Sequence, residues 1–146
     1  FLVANSLVPG SYVSCQSALE YHHLTPEYVP VITSVGTHRP SRWQTPLGHF
    51  SLRYIKPELL KGYKLEGLGN NQRAFVAEPE KALLDMVHLQ ARGDRQPYLC
   101  GLRLQNMEVL NLGRLNELAQ GRPKLVRAVR HITELAKTEA EEYEIL

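Results

Sequence analysis

The segment Glu78–Gly93, EPEKALLDMVHLQARG, decides the fold more than any other part of the chain. Pro79 suits the first position of a helix, where its missing N–H is not needed. Glu80 then falls in the first turn, where a carboxylate favours the positive end of the helix dipole, and Gly93 is expected to end the helix. Apolar side chains cover more than half of the helix circumference, which predicts a central core helix. These side chains are Ala82, Leu83, Leu84, Met86, Val87 and Leu89.

The remaining polar stripe of this helix holds Lys81, Asp85, His88 and Arg92. We interpret Lys81 and Asp85 as an ordinary i,i+4 pair at the solvated rim of the buried helix. Asp85→Ala is then expected to change stability by only about 0.2–0.5 kcal/mol. A catalytic role for the stripe is the alternative.

Length and composition predict one globular domain. The chain has 146 residues and a formal net charge of +2, and none of its apolar runs approaches the roughly 20 residues of a membrane span. The opening FLVANSLV is too short and lacks the basic flank of a signal peptide. Since the chain does not begin with methionine, we expect a fragment or domain of a longer protein. Cys15 and Cys100 lie far apart, so we expect reduced thiols and a cytoplasmic location.

Turn signals and alternating side chains predict antiparallel strands in the middle of the chain. Val31 to Val35 is a β-branched run, and Phe50, Leu52 and Tyr54 alternate with polar neighbours. Tyr63 to Leu68 and Gln72 to Ala77 flank Gly69-Asn70-Asn71, a hairpin signal with residues that tolerate positive φ.

Helices are predicted at both ends of the chain. Ser14 is a suitable N-cap for a short helix from Cys15 to His23, and the segment from Gly93 to Gly101 is expected to be a loop. Asn111 is expected to cap a helix that reaches about Gln120, and Pro123 to open a longer one to about Lys137. The fold class is therefore α+β: a small antiparallel or mixed sheet packed on a central helix, with a helical C-terminal end. We expect a single domain over residues 1–146, with an α+β core at 1–100 and a helical subregion at 101–146.

Positive charge is concentrated in two parts of the chain. Between Val29 and Ala77 seven basic residues face two acidic ones, and a second basic group lies after residue 113, whereas the last residues are acidic. If the two groups adjoin in the fold, they form a weak, sequence-independent phosphate-contacting surface. The candidate nucleic-acid-binding residues are Arg39, Arg42, Arg53, Lys56, Lys64, Lys124, Arg127 and Arg130.

Motifs for catalysis, metals and cofactors are weak. There is no P-loop, no GxGxxG and no GxSxG elbow, and no cofactor is expected. Cys15, His22 and His23 lack further ligands at a recognisable spacing, so a metal site is not favoured. The only cluster that suits a metal-dependent nuclease is Glu78, Glu80, Lys81 and Asp85.

Several short segments, taken together and in order, resemble the AbiEi family. Pro9–Ser14 followed by Ser17–Leu19 is similar to its segment P-x-S-Y-[IV]-S-x-x-S-A-L, and Thr45–Phe50 to T-P-x-G-x-[FY]. Ile32–Val35 and Gly62-Tyr63 match shorter pieces. The core helix matches A-x-P-E-K-A-L-[LF]-D through Ala77, Pro79, Glu80, Lys81, Ala82, Leu83, Leu84 and Asp85. The resemblance covers roughly Pro9 to Asp85.

The resemblance implies an antitoxin and transcriptional-regulator domain of a bacterial type IV toxin–antitoxin system, which acts in abortive infection and viral defence. Such a domain counteracts a nucleotidyltransferase-like toxin, with or without a stable complex, and assists repression of its own operon. Family members usually begin with a winged helix that binds operator DNA, and this chain lacks that segment. A nuclease-like or nucleotide-handling enzyme and a purely structural dimerisation domain are the alternatives.

Overall fold

The computed structural model describes residues 1–26 and 29–145, with the backbone alone at 143 and 145. Within these residues a six-stranded sheet has the strand order β3-β4-β2-β1-β6-β5. The strands are β1 (Tyr12–Val13), β2 (Val31–Gly36), β3 (Ser41–Thr45), β4 (Gly48–Tyr54), β5 (Tyr63–Gly69) and β6 (Gln72–Ala77). The helices are α1 (Leu2–Leu7), α2 (Cys15–Tyr21), α3 (Pro79–Leu89), α4 (Gln96–Gly101), α5 (Leu112–Ala119) and α6 (Pro123–Ile145). Two short 3-10 segments lie at Pro57–Leu59 and Met107–Val109.

The two-residue strand β1 joins the two halves of the sheet. It pairs antiparallel with β2 through Tyr12 and Val35, and parallel with β6 through Val13 and Val76. The β3–β4 and β5–β6 hairpins are antiparallel, whereas β2 and β4 run parallel. The sheet is therefore mixed, and its middle depends on a strand of two residues.

The helix α3 is the centre of the helical layer. It packs on α2, α5 and α6, and α6 also packs on α4. Its side chains Leu83, Leu84 and Val87 are at most 1% exposed, within one hydrophobic core that extends from α1 to α6. The predicted α+β class, the central helix and the helical C-terminal end are confirmed.

Local predictions are confirmed at several turns and caps. Asn70 and Asn71 both have positive φ, 52° and 61°, as the tight hairpin between β5 and β6 requires. The Asn111 side chain accepts a hydrogen bond from the Arg114 amide at the start of α5, at 3.0 Å.

Among the described residues, no helix combines the length and the apolar composition that crossing a bilayer requires.

The predicted ends of three helices are wrong, and one helix, α4, was expected to be a loop. The helix α3 ends at Leu89 rather than at Gly93, and Arg92 has the positive φ (59°). Gly93 is instead required by space, since a Cβ there would lie 2.4 Å from the Val87 carbonyl oxygen. The expected loop between Gly93 and Gly101 contains α4, and α6 continues eight residues past Lys137, to Ile145. The helix α2 ends at Tyr21, two residues before the predicted His23.

Candidate functional site

Four polar side chains form a hydrogen-bonded network in the core. Asp85 Oδ2 accepts from Ser14 Oγ at 2.6 Å and from the Tyr12 hydroxyl at 3.1 Å. Lys81 Nζ donates to Asp85 Oδ1 and, at 3.0 Å, to the Tyr12 oxygen. Lys81 and Asp85 are only 3% and 1% exposed. The prediction of a solvated pair at the helix rim is therefore wrong, and the small stability change expected for Asp85→Ala is wrong with it.

The local sequence explains how these groups meet. Lys81 and Asp85 lie one turn apart on α3, and side chains four residues apart share a helix face. Tyr12 projects from β1, and Ser14 follows it at the N-cap of α2. The Ser14 side chain makes no cap hydrogen bond there, and its hydroxyl donates to Asp85. The network thus joins the centre of the sheet to the central helix.

Gly62, which precedes β5, and Tyr63, its first residue, cover the network. The Tyr63 ring stacks on the Tyr12 ring, with 4.6 Å between centroids and 16° between planes. Gly62 has φ +76°, and a Cβ there would lie 2.9 Å from Lys81 Cγ. Its carbonyl accepts from the Glu78 amide at 2.8 Å. Glycine is therefore needed at this position both for its backbone conformation and for the space that the lysine stem occupies.

Burial sets the protonation behaviour of the network. It raises the pKa of the Asp85 carboxyl, while the Lys81 ammonium and the hydroxyls of Ser14 and Tyr12 act in the opposite direction. Burial, together with the nearby Asp85 carboxylate, also raises the pKa of Tyr12. A buried charge is tolerated only when it is paired and hydrogen-bonded, and both conditions hold here.

The carboxylates proposed for a nuclease engage different partners. Glu78 pairs with Arg114 at 2.9 Å and with Lys64 at 3.7 Å. Glu80 is buried, which raises its pKa, and Asp85 is held within the network. Among the described residues, no group of three His, Cys, Asp or Glu side chains could hold a metal ion. The geometry therefore gives no support to a two- or three-carboxylate metal site at the start of α3.

The cysteine and the two histidines at α2 lie in three different environments. Burial and the nearby Asp85 carboxylate raise the pKa of the Cys15 thiol to about 12, which disfavours a thiolate ligand or nucleophile. His22 Nε2 lies 2.8 Å from the Ala77 carbonyl oxygen, and His23 is exposed.

The basic residues of the strand region are exposed at one end of the sheet. Arg42 lies in β3 and pairs in register with Ser51, two residues before Arg53 on β4. Since side chains alternate along a strand, Arg42 and Arg53 lie on the same face of the sheet. Arg39 precedes β3 and Lys56 follows β4, and both are exposed.

Most of the other candidate basic residues have partners within the protein. Lys124 Nζ donates to the carbonyls of His88 and Gln90, at 3.2 and 2.8 Å, and so caps the C-terminal end of α3. Arg127 Nε donates to Asp94 Oδ2 at 2.7 Å. Lys64 pairs with Glu78, as described above, and Arg130 is exposed on α6. The helix α6 packs on α3, α4 and α5, whereas β4 packs on β2 and β3.

An open cleft of about 550 Å³, which we call the central cleft, lies between the sheet and the helices. Its sheet wall contains Thr33 and Arg53, and its opposite wall contains the end of α3. Tyr98 of α4 lines a third side. The sequence does not predict this cleft, because the segment that holds Tyr98 is expected to be a loop. The remaining lining residues are Cys15, Gln16, Met86, Leu89, Gln90, Pro97, Gly101 and Leu102.

Comparison with known proteins adds no assignment: no protein-family model matches the chain, and no curated protein matches it either.

Proposed function

We propose that the chain is an antitoxin and transcriptional-regulator domain of a type IV toxin–antitoxin system, as its resemblance to the AbiEi family implies. One observation carries the proposal. The two longest segments of the resemblance, Pro9–Leu19 and Ala77–Asp85, are about 60 residues apart in the sequence, yet they supply all four members of the buried network. Matching residues that bond to each other in the core support a shared fold better than scattered matches do.

The character of the site supports a binding role more than an enzymatic one. The most polar part of the core is saturated with internal hydrogen bonds and enclosed by Tyr63 and Gly62. Glu78 and Asp85 are held by different cations. The nuclease alternative requires these carboxylates to converge on an open site. The dimerisation alternative stays a prediction that the mass of the protein in solution would test.

Counteracting a nucleotidyltransferase-like toxin is the first activity of the proposal. Its test is to search the neighbouring genes for a nucleotidyltransferase and to co-express it with this chain, in a bacterial host whose growth that toxin arrests. We expect growth to recover with the wild-type chain and with the surface variant Lys137→Met. The proposal is refuted if the chain accumulates in folded form and growth stays arrested.

Assistance in operon repression is the second activity, and exposed basic residues support it. Arg39, Lys56 and Arg130 are exposed, and none of them forms an ion pair with the described residues, so they could contact DNA phosphates. Phosphate contacts of this kind are independent of sequence and strongly salt-dependent. We expect the chain alone to bind duplex DNA no tighter than about 10⁻⁶ M at physiological salt.

A titration of operator DNA at two salt concentrations tests this second activity. Arg39→Ala and Arg130→Ala should each weaken binding and lower the salt slope by about 0.9. Arg127→Ala should mainly lower the stability of the protein and change the salt slope little, because Arg127 pairs with Asp94. Equal affinity and equal slope in all variants would show that the basic residues are only solvated surface.

A further inference from the structure

Two further grooves adjoin the central cleft. A strand groove, lined by Pro40–Arg42 and Ser51–Arg53, shares Arg53 with the cleft. A loop groove, lined by Gln90–Arg92 and Arg95–Tyr98, shares Gln90, Pro97 and Tyr98 with it. The three depressions are therefore neighbours that share lining residues. We call them together the surface track.

The surface track is positively charged along its length. Arg42 and Arg53 lie at one end, and Arg92 and Arg95 at the other, and all four side chains are exposed. Among the described residues that line it, none is acidic. The two carboxylates next to its lining residues in the sequence, Asp85 and Asp94, are buried and paired with Lys81 and Arg127. The track therefore favours an extended anion with charges at both ends.

The middle of the surface track differs from its ends, because an aromatic ring and apolar side chains join its polar lining. The half-buried Tyr98 lines both the cleft and the loop groove, and Met86 and Leu89 form the adjoining wall. Gln16 and Gln90 add side-chain amides, which donate and accept hydrogen bonds. A flat, uncharged group with polar edges suits such a cleft, and a nucleic-acid base is of this kind.

We infer that the surface track binds a single-stranded nucleic acid, with phosphates at the arginines and a base in the central cleft beside Tyr98. Arginines alternating with an aromatic ring are the usual means by which proteins hold single strands. A duplex keeps its bases stacked inside, so it could use the arginines and not the cleft. This inference does not rest on the proposed antitoxin function, which needs no base in the cleft.

Fluorescence anisotropy with end-labelled oligonucleotides of about 12 nucleotides, within the usual range of site sizes, tests the inference. The probes are a mixed-sequence RNA strand, the matching DNA strand and the DNA duplex, each titrated with the full chain at two salt concentrations. We expect both single strands to bind at least about ten-fold more tightly than the duplex, and competition by AMP to show whether one nucleotide suffices. A difference between RNA and DNA identifies the sugar that the track prefers.

Four variants separate base binding from general charge. Tyr98→Leu keeps an apolar side chain and removes the ring, and it should weaken single-strand binding about ten-fold, the expected loss of one stacked base. Tyr98→Phe should bind as the wild type does. Tyr54→Ala is the matched control, since Tyr54 is exposed on β4 outside the track. Arg95→Ala should lower the salt slope by about 0.7, the value for one phosphate of a single strand.

Arg73→Ala is the control for charge, because Arg73 is exposed on β6 and does not line the track. Thermal melting of each variant confirms that it is folded. The inference is overturned if the duplex binds as tightly as the single strands, or if folded Tyr98→Leu binds like the wild type. It is equally overturned if Arg73→Ala and Arg95→Ala lower the slope alike.

Discussion

The clearest prediction concerns the replacement of Lys81 by methionine. Methionine keeps most of the side-chain volume and removes the ammonium, so that Asp85 keeps its hydrogen bonds from Ser14 and Tyr12 and loses its counter-charge. Removing one partner of a buried ion pair typically costs about 3–5 kcal/mol. Domains are stable by only about 5–15 kcal/mol, so a large part of the total stability is lost.

The measurement is urea or thermal unfolding followed by circular dichroism. At about 2–4 °C per kcal/mol for a domain of roughly this size, Lys81→Met should melt about 6–20 °C below the wild type. Lys137→Met on α6 is the matched control, because Lys137 is exposed. Surface substitutions of this kind usually change stability by no more than about 0.5 kcal/mol.

The pH dependence of the stability that Lys81→Met loses identifies the cause of the loss. Burial raises the pKa of Asp85, and loss of the ammonium removes the main opposing effect. A carboxyl whose folded pKa lies above its unfolded value binds protons more readily in the folded state. The penalty is therefore fully present above the folded pKa and decreases as the pH falls through that pKa towards the ordinary value of 3.8. Lys81→Met should consequently be closer to the wild type at mildly acidic pH than at pH 8.

A double variant completes the test. Asp85→Asn is nearly isosteric, and its amide oxygen can still accept from Ser14 and Tyr12. Lys81→Met/Asp85→Asn should therefore be more stable than Lys81→Met at pH 8, and should show no pH dependence from this site. A Lys81→Met deficit below about 1 kcal/mol, or a double variant no better than the single one, would refute the view that a buried charge needs Lys81.

Three further substitutions test the core, the enclosure of the network and the ion pair between Arg127 and the buried Asp94. Leu83→Ala should cost about 2–5 kcal/mol in urea unfolding, since Leu83 is fully buried, and an unshifted midpoint would contradict its place in the core. Gly62→Ala should lower the melting temperature, because the new Cβ meets the Lys81 stem and φ is +76°, and a melting temperature equal to that of the wild type would contradict this. The Arg127 hydrogen bond lowers the pKa of Asp94, so its stabilisation is present above the ordinary value of 3.8 and is lost as the pH falls through the lowered pKa. Arg127→Ala should therefore destabilise the protein at neutral pH and not at the lowest pH, and an equal loss of stability at both would contradict the assignment.

The parts of the fold that depend on local chemistry could be predicted from the sequence. The β5–β6 hairpin follows from Gly69-Asn70-Asn71, and the start of α5 from its Asn111 cap. In each case the decisive groups lie within a few residues of one another. The apolar face of α3 likewise identifies the central helix, because a wide apolar stripe must be buried.

The burial of Lys81 and Asp85 could not be predicted in the same way. A Lys–Asp pair at i,i+4 has the same spacing whether it faces water or the core. The groups that make burial tolerable, Tyr12 and Ser14, lie about 70 residues upstream. Tyr12 projects from β1 and Ser14 follows this strand, which at two residues is too short to show the alternation of a strand.

The expectation of a loop between Gly93 and Gly101 is wrong because proline is typical of loops as well as of helix starts. Proline breaks the interior of a helix, yet it is favoured in the first turn, where Pro97 lies in α4. The same mistake concealed the central cleft, since Tyr98 follows Pro97 directly. The full length of α6 was missed because its last residues are acidic and lack an apolar stripe that would have marked them as helical.

The buried network and the central cleft are connected through the chain itself. Ser14 is followed by Cys15, which lines the cleft, and Asp85 is followed by Met86 on the opposite wall. The hydrogen bond between Ser14 and Asp85, at 2.6 Å, therefore fixes the start of α2 against α3 at the point where the cleft opens. A site is held accurately when the residues behind it are locked by packing and hydrogen bonds. None of the four network side chains lines the central cleft. These residues, which carry the family resemblance, thus support the cleft by holding its walls in place.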